Sequence, residues 1–237
     1  MFITFEGLDC SGKSTQIKQL NEYLISNGFK TYLTKQTGGE ESVKEIREIL
    51  LNKKLDPITQ VLLIYADRIE HMKTISKYLK DDYIVLCDRY VDSTYAYQCF
   101  GFDVDSSLIQ KIHSLTSLII PDLTIYLSIT PEESLKRLKS RASLDIIETN
   151  SNLEFIKKLE TGYKTLISNN PKRIKVIDSL NLSISQTHLL TLRNFNEVYN
   201  YLKGSRIEDK TGSIPPLVQG REENITGRLK FPEQNLN

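Results

Sequence analysis

Short apolar runs recur along the 237-residue chain, at Phe2–Phe5, Thr31–Thr34, Ile84–Cys87, Leu123–Leu127 and Ile174–Ile177. Most are rich in Ile, Val, Leu and Tyr, as strands buried on both faces of a parallel sheet are. Between them, apolar residues take helical spacing over Thr15–Ser26, Glu41–Leu51, Pro57–Tyr78, Ser106–Leu118, Pro131–Arg141, Leu153–Ser168 and Ile184–Tyr201. Pro57 and Pro131 stand at a first turn, where a helix tolerates proline. Alternating β and α elements predict an α/β fold with a five-stranded parallel sheet, right-handed crossovers and helices on both faces. After Lys203 the periodicity stops. Residues 204–237 carry glycines, many charges and the adjacent Pro215 and Pro216. The chain therefore divides into a domain over 1–203 and an extended or disordered tail over 204–237.

In such a sheet, ligands sit beyond the carboxyl ends of the strands. The first strand runs into Gly7, Gly12, Lys13 and Ser14, spaced G-x-x-x-x-G-K-[ST]. Strand, loop and helix follow in the order a phosphate-binding P-loop needs. Glycines let backbone N–H groups wrap a polyphosphate, and the helix N-terminus adds unpaired amides. Lys13 then reaches the β- and γ-phosphates, and Ser14 is placed to hold Mg²⁺. The third strand ends in Asp88, a Walker B pattern whose carboxylate approaches the same metal. Arg89 and Tyr90 follow it, not the second acid of ATP-hydrolysing machines. No Asn-Lys-x-Asp guanine reader occurs: Asn52-Lys53-Lys54-Leu55 lacks the aspartate.

Arg68 and Arg89 suit a second phosphate clamp, because a guanidinium fork matches phosphate oxygens. The plainer reading pairs Arg68 with Asp67 or Glu70 at the surface. Arg137 and Arg141, at i and i+4, read either as a mobile basic lid or as ordinary cations at a helix C-terminus. Tyr95, Tyr97 and Phe100 either cradle a base or fill the core. His113 and His188 read as packing or surface residues.

The net charge of +1 argues against nucleic acid or an anionic membrane surface as partner. No signal peptide opens the chain, and no apolar run approaches the length of a membrane span. Cys10, Cys87 and Cys99 lack metal-ligand spacing and read as small packed residues in a reducing compartment.

Five segments, in order, resemble the thymidylate kinase family over residues 1–200. The P-loop Phe5–Thr15 resembles FEGxDGSGKST, and Asp88–Gln98 resembles D-R-Y-x-x-S-x-x-A-Y-Q. Ala66–Arg68 resembles A-x-R, Pro121–Leu127 resembles P-D-L-T-x-Y-L, and Arg141–Glu148 resembles the lid R-x-x-L-D-x-x-E. The resemblance implies a three-layer P-loop kinase fold with a short lid, acting in the cytoplasm as a homodimer paired through helices. It implies transfer of the γ-phosphoryl group of ATP to dTMP, giving dTDP and ADP, with Mg²⁺. Lys13, Asp9, Arg89 and Arg141 would be catalytic. ATP would meet Gly7, Cys10, Ser11, Gly12, Lys13, Ser14, Thr15, Arg137 and Arg141. The acceptor would meet Asp9, Lys35, Ile64, Arg68, Arg89, Thr94, Tyr97 and Gln98. Asp9 would contact the 3′-hydroxyl, Tyr97 would crowd a 2′-hydroxyl, and Ser14 and Asp88 would hold the metal.

The chain departs from the family pattern in several places. Thr34–Glu40 reads T-K-Q-T-G-G-E against T-R-E-P-G-G-T, so Lys35 replaces an arginine fork with a point charge. Ile64 stands where a phenylalanine usually stacks on thymine. Ile146 and Cys10 occupy positions where relatives carry arginine. A kinase for another deoxynucleotide or a deoxynucleoside, or a non-catalytic P-loop protein, are the alternative readings.

Overall fold

The computed structural model describes residues 1–116 and 118–208. Its five strands are β1 (Phe2–Glu6), β2 (Thr31–Lys35), β3 (Ile84–Asp88), β4 (Leu123–Ser128) and β5 (Ile174–Asp178). All neighbours pair in parallel, in the order β2-β3-β1-β4-β5. The predicted runs are these strands, each extended by one residue at its carboxyl end. The residues gained there (Glu6, Lys35, Asp88, Ser128, Asp178) are polar, which is why apolar runs alone miss them.

The longer helices are α1 (Lys13–Ser26), α2 (Glu45–Asn52), α3 (Pro57–Lys80), α5 (Ser106–Thr116), α6 (Pro131–Lys139), α8 (Leu153–Asn169) and α9 (Ile184–Glu208); α4 (Val91–Thr94) and α7 (Ile146–Asn150) are short. The pleat sends alternate side chains to opposite layers. Ile3, Phe5, Leu86, Ile125 and Leu127 pack on Ile17, Leu20 and Leu24 of α1 and Phe195 of α9. Phe2, Val85, Cys87 and Tyr126 pack on Val61, Tyr65 and Ile75 of α3, Ile109 of α5 and Tyr163 of α8. This is the expected three-layer sandwich. Helix starts follow the proline signal: Asp56 caps α3 through the Ile58 and Thr59 amides, and Thr130 caps α6 through that of Glu133.

Four segments depart from the periodic reading. The helix expected over 41–51 splits into a 3₁₀ turn, Glu41–Val43, and α2, with Glu40 tied to Thr74 Oγ1 at 2.5 Å. Segment 91–101 forms α4 and a π-helical turn, Tyr95–Gly101. There Gly162 of α8 lets the two pack: a Cβ would lie 2.9 Å from the Phe100 ring and 3.0 Å from Ala96 Cα. The lid segment contains α7, whose N-terminus carries a capping box between Asp145 and Glu148. Finally, α9 runs past Lys203 to Glu208, so the boundary drawn at residue 203 falls inside a helix. The rest of the expected tail lies outside the described residues.

Among the described residues, no helix is long and apolar enough to cross a membrane.

Candidate active site

The P-loop joins β1, an interior strand of the sheet, to α1. Gly7 adopts φ +146°, and a Cβ there would fall 2.5 Å from the Leu127 carbonyl oxygen. Any side chain would push the loop off β4. Cys10 also takes a left-handed φ, of 61°. Gly12 lies at the mouth of α1, where its carbonyl accepts from the amides of Thr15 (3.1 Å) and Gln16 (3.0 Å). Lys13 is buried, and its Nζ donates to the carbonyls of Gly7 (3.1 Å) and Leu8 (2.8 Å). Burial and the nearby Arg89 lower its pKa to about 8, against the pull of Asp9, Asp88 and Glu6. Ser14 and Thr15 are exposed at the same helix end, and Ser11 is buried beneath the loop.

The strand register sets Asp88 beside Phe5, so the third strand delivers its carboxylate to the P-loop. Ser14 Oγ donates to Asp88 Oδ2 at 2.8 Å. Two hard oxygens at this spacing fit adjacent corners of a Mg²⁺ octahedron, whose ligands at 2.0–2.1 Å stand about 2.9 Å apart. Among the described residues, no cluster of three or more His, Cys, Asp or Glu side chains could cage a cation. That donor set suits an ion held mainly by phosphates and water.

Asp9 links the P-loop to a second pocket. Arg89 Nη2 pairs with Asp9 Oδ1, and the Tyr97 hydroxyl donates to Oδ2 at 2.6 Å. Burial opposes the carboxylate, but Arg89, Lys13 and the Tyr97 hydroxyl prevail and hold its pKa below the ordinary value. Arg89 Nη1 reaches the Gly7 carbonyl (3.2 Å), Ser93 Oγ (3.1 Å) and the Tyr163 hydroxyl (3.3 Å).

Asp9, Arg89, Tyr97, Arg68, Ile64, Thr94 and Gln98 are brought together as lining of this second pocket. Arg68 is only 1% exposed, which removes the surface ion-pair reading. It donates from Nε to Gln36 Oε1 (2.8 Å) and from Nη2 to Thr94 Oγ1 (2.7 Å), while Nη1 has no partner. The guanidinium lies between the rings of Tyr65 (4.8 Å) and Tyr90 (5.1 Å). Glu70, its alternative partner, binds Lys73 instead. Among the described residues Arg68 has no ion pair, so a buried cation whose side-chain hydrogen-bond partners are neutral lines the pocket. Tyr95 and the partly buried Phe100 belong to the core, with ring centroids 5.6 Å apart.

Lys35 is not brought here. β2 alternates, so Lys35 points outward into a groove shared with Ser14, Lys18, Tyr32 and Asp88, and Gln36 turns into the pocket. Gln36, Arg47, Gln60, Ser93 and Ile147 also line the pocket and escape the sequence reading. Arg47 is held by the Thr37 carbonyl at 2.7 Å. Extending the period-2 alternation one residue past β2 points to Gln36, and D-x-x-E at Asp145–Glu148 points to the lid helix. Nothing in the local sequence around Arg47 marks it.

The lid arginines divide. Arg137 Nε pairs with Glu133 Oε1 (2.7 Å) while Nη1 donates to the Cys10 carbonyl (3.2 Å), bringing a cation to the P-loop. Arg141 pairs with Glu148, which lines the second pocket. Ile146 opens α7 and carries no charge to either site. Burial pushes the Cys10 thiol pKa above its usual value, more than Arg141 draws it down.

The chain as a whole is similar to known proteins. The Thymidylate kinase family model matches residues 5–189. A thymidylate kinase from Prosthecochloris aestuarii is 37% identical over 226 residues, covering 90% of this chain and 99% of its own. One from Chlorobaculum tepidum is 38% identical over 200 residues, covering 79% and 93%. A crystal structure of thymidylate kinase from Ehrlichia chaffeensis superposes with a TM-score of 0.68 at 32% identity, covering 81% of this chain and 96% of its own. With both pockets in place and these likenesses across most of its length, the chain belongs to the thymidylate kinase family.

Proposed function

We infer that this protein transfers the γ-phosphoryl group of ATP to dTMP, giving ADP and dTDP. The observation that carries the reading is Asp9, which joins the P-loop to an open pocket lined by a buried Arg68 whose Nη1 has no partner. The names of the relatives supply the nucleotide. A phosphate monoester has its second pKa at about 6, so the dTMP phosphate is already a nucleophile near neutral pH and needs no general base. Catalysis is then alignment and charge neutralisation. The P-loop amides and Lys13 hold the ATP phosphates. Arg89 faces the reacting oxygens from the acceptor side, and Arg137 and Arg141 screen the donor side. Ser14 and Asp88 would hold Mg²⁺, which spreads the negative charge of the phosphates.

In the acceptor pocket, Ile64, Arg68, Thr94 and Gln98 surround the base, and Tyr97, fixed by Asp9, lies beside the sugar. Gln36 stands where the family motif carries glutamate. An amide leaves the Arg68 charge unneutralised and available to the acceptor, and this offsets the outward turn of Lys35. The test is ADP release measured across nucleoside monophosphates and thymidine. dTMP gives the highest kcat/KM and thymidine gives none. A different preferred acceptor, or ATP binding with no ADP formed, overturns the reading.

The protein works as a cytoplasmic homodimer through α3. Ile58, Leu62 and Ile69, at i, i+4 and i+11 on that helix, are 51%, 55% and 40% exposed. An apolar stripe at helical spacing suits packing against a second helix. The three cysteines are free thiols, which suits a reducing compartment. Leu62→Glu is expected to convert the dimer to a monomer by light scattering at unchanged helical circular dichroism. A variant of unchanged mass removes α3 from the interface.

A further inference from the structure

Glu6 ends β1 and is fully buried. It lies outside both pockets, yet it gathers four hydrogen bonds. Oε1 accepts from the amides of Tyr90 (2.7 Å) and Ser93 (3.3 Å). Oε2 accepts from Ser93 Oγ (2.6 Å) and the Tyr163 hydroxyl (3.0 Å). Those same two hydroxyl oxygens accept from Arg89 Nη1. The two hydroxyls also stand 3.0 Å apart, where either could donate to the other, and the carboxylate is the acceptor that draws both protons to itself. With both hydroxyls donating inward to Oε2, their lone pairs turn outward to the guanidinium.

We propose that Glu6 is a positioning residue for phosphoryl transfer, orienting Arg89 against the P-loop through the hydroxyls of Ser93 and Tyr163. This rests on the functional reading above. The arrangement is costly to keep unless it serves a purpose. Burial first, and then Asp92, push the Glu6 pKa up to about 7, while Arg89, Ser93 and the Tyr90 amide draw it down. A neutral residue filling the same space would avoid the burial of charge, but it could not accept on all four sides.

Glu6→Gln is the sharpest probe, because it keeps shape and removes acceptance at one atom. With the amide nitrogen at the Oε1 position, it confronts the Tyr90 and Ser93 amides donor to donor. At the Oε2 position, it turns the Ser93 and Tyr163 protons toward Arg89. In the second orientation Arg89 loses two acceptors; in the first, the donor clash pushes away the Tyr90–Ser93 segment that carries one of them.

The experiment compares wild type and Glu6→Gln in steady-state dTMP phosphorylation. We expect kcat to fall about 30-fold or more, with KM for ATP and dTMP within about threefold, as for a group acting only in the transition state. A residue serving only the fold would lower the melting temperature and leave kcat per folded molecule unchanged. Tyr163→Phe, which removes one relay hydroxyl, covers the case of a Glu6 variant that does not fold. It should lower kcat in the wild-type background and have no further effect in Arg89→Lys, where the relay has lost its target. An active wild type with an equally active Glu6→Gln, or additive Tyr163 and Arg89 effects, overturns the proposal alone. A wild type that phosphorylates no nucleotide overturns the functional reading and this proposal together.

Discussion

Lys13→Ala is expected to abolish phosphoryl transfer while leaving the fold as stable as the wild type. The ammonium group is the one buried cation rooted in the P-loop itself, bonded to the Gly7 and Leu8 carbonyls that shape the loop. Removing a preorganised charge at a transferring phosphate costs about 10²-fold or more in kcat. Stability follows a separate balance. The folded-state pKa of Lys13 is lowered to about 8 from an ordinary 10.5. A lysine with a lowered folded pKa destabilises the native state fully below pH 8, and that cost is relieved as pH rises toward 10.5. The shift corresponds to a cost on the order of 3 kcal/mol at neutral pH. Alanine removes this cost and gives up the hydrogen bonds to the Gly7 and Leu8 carbonyls and a longer one to Ser11 Oγ at 3.5 Å, each a net contribution of about 1 kcal/mol or less. The melting temperature at pH 7 should therefore stay close to that of the wild type. Near wild-type turnover in a folded Lys13→Ala protein would sink the P-loop assignment. Inactivity accompanied by a large drop in melting temperature would instead make Lys13 a structural residue.

The contrast between Lys13 and its neighbours bears on what a sequence makes legible. Features set by local rules were readable. β1 and the P-loop follow from an apolar run and a fixed spacing. The starts of α3 and α6 follow from proline at a first turn, and Asp88 from its place at a strand end. Features set by long-range contact were not. Arg68 reads locally as a surface ion pair because Asp67 and Glu70 flank it. It is buried because α3 turns that side chain under Tyr90, and no neighbour in sequence records this. Lys35 reads as an acceptor ligand from its place in a motif, but strand alternation gives the pocket to Gln36. The π-helical turn over Tyr95–Gly101 has no periodic signature, since its shape comes from close packing against Gly162 of α8. Glu6 was in plain view at the end of an apolar strand. Its partners, Ser93 and Tyr163, are 87 and 157 residues away, and only the fold joins them.

Arg89→Met should match Lys13→Ala in lost turnover and differ from it in stability. The guanidinium bonds Asp9, the Gly7 carbonyl, Ser93 and Tyr163, and lies 5.3 Å from the centre of the Tyr97 ring. Among the described residues it thus joins the P-loop, the acceptor pocket and the Glu6 network. Loss of its charge at the reacting phosphate is expected to lower kcat by about 10²-fold or more. Methionine keeps the apolar stem, leaves Asp9 without its ion-pair partner and removes a cation near Glu6, with Lys13 still near both carboxylates. The side chains of Arg89 and Asp9 are 20% and 23% exposed, so solvent screens the orphaned Asp9 only in part. Breaking such a buried pair costs about 3 kcal/mol, which for a domain of this size lowers the melting temperature by about 6–12 °C. The loss should shrink as pH falls, because protonation of Asp9 and Glu6 removes the unpaired charge. Asp9→Asn in the Arg89→Met background should recover part of the melting temperature and none of the activity. If Arg89→Met melts as the wild type does, the Asp9 pair carries no weight in the fold. If the double variant regains turnover, Arg89 serves only to neutralise Asp9, and the phosphoryl group is stabilised elsewhere.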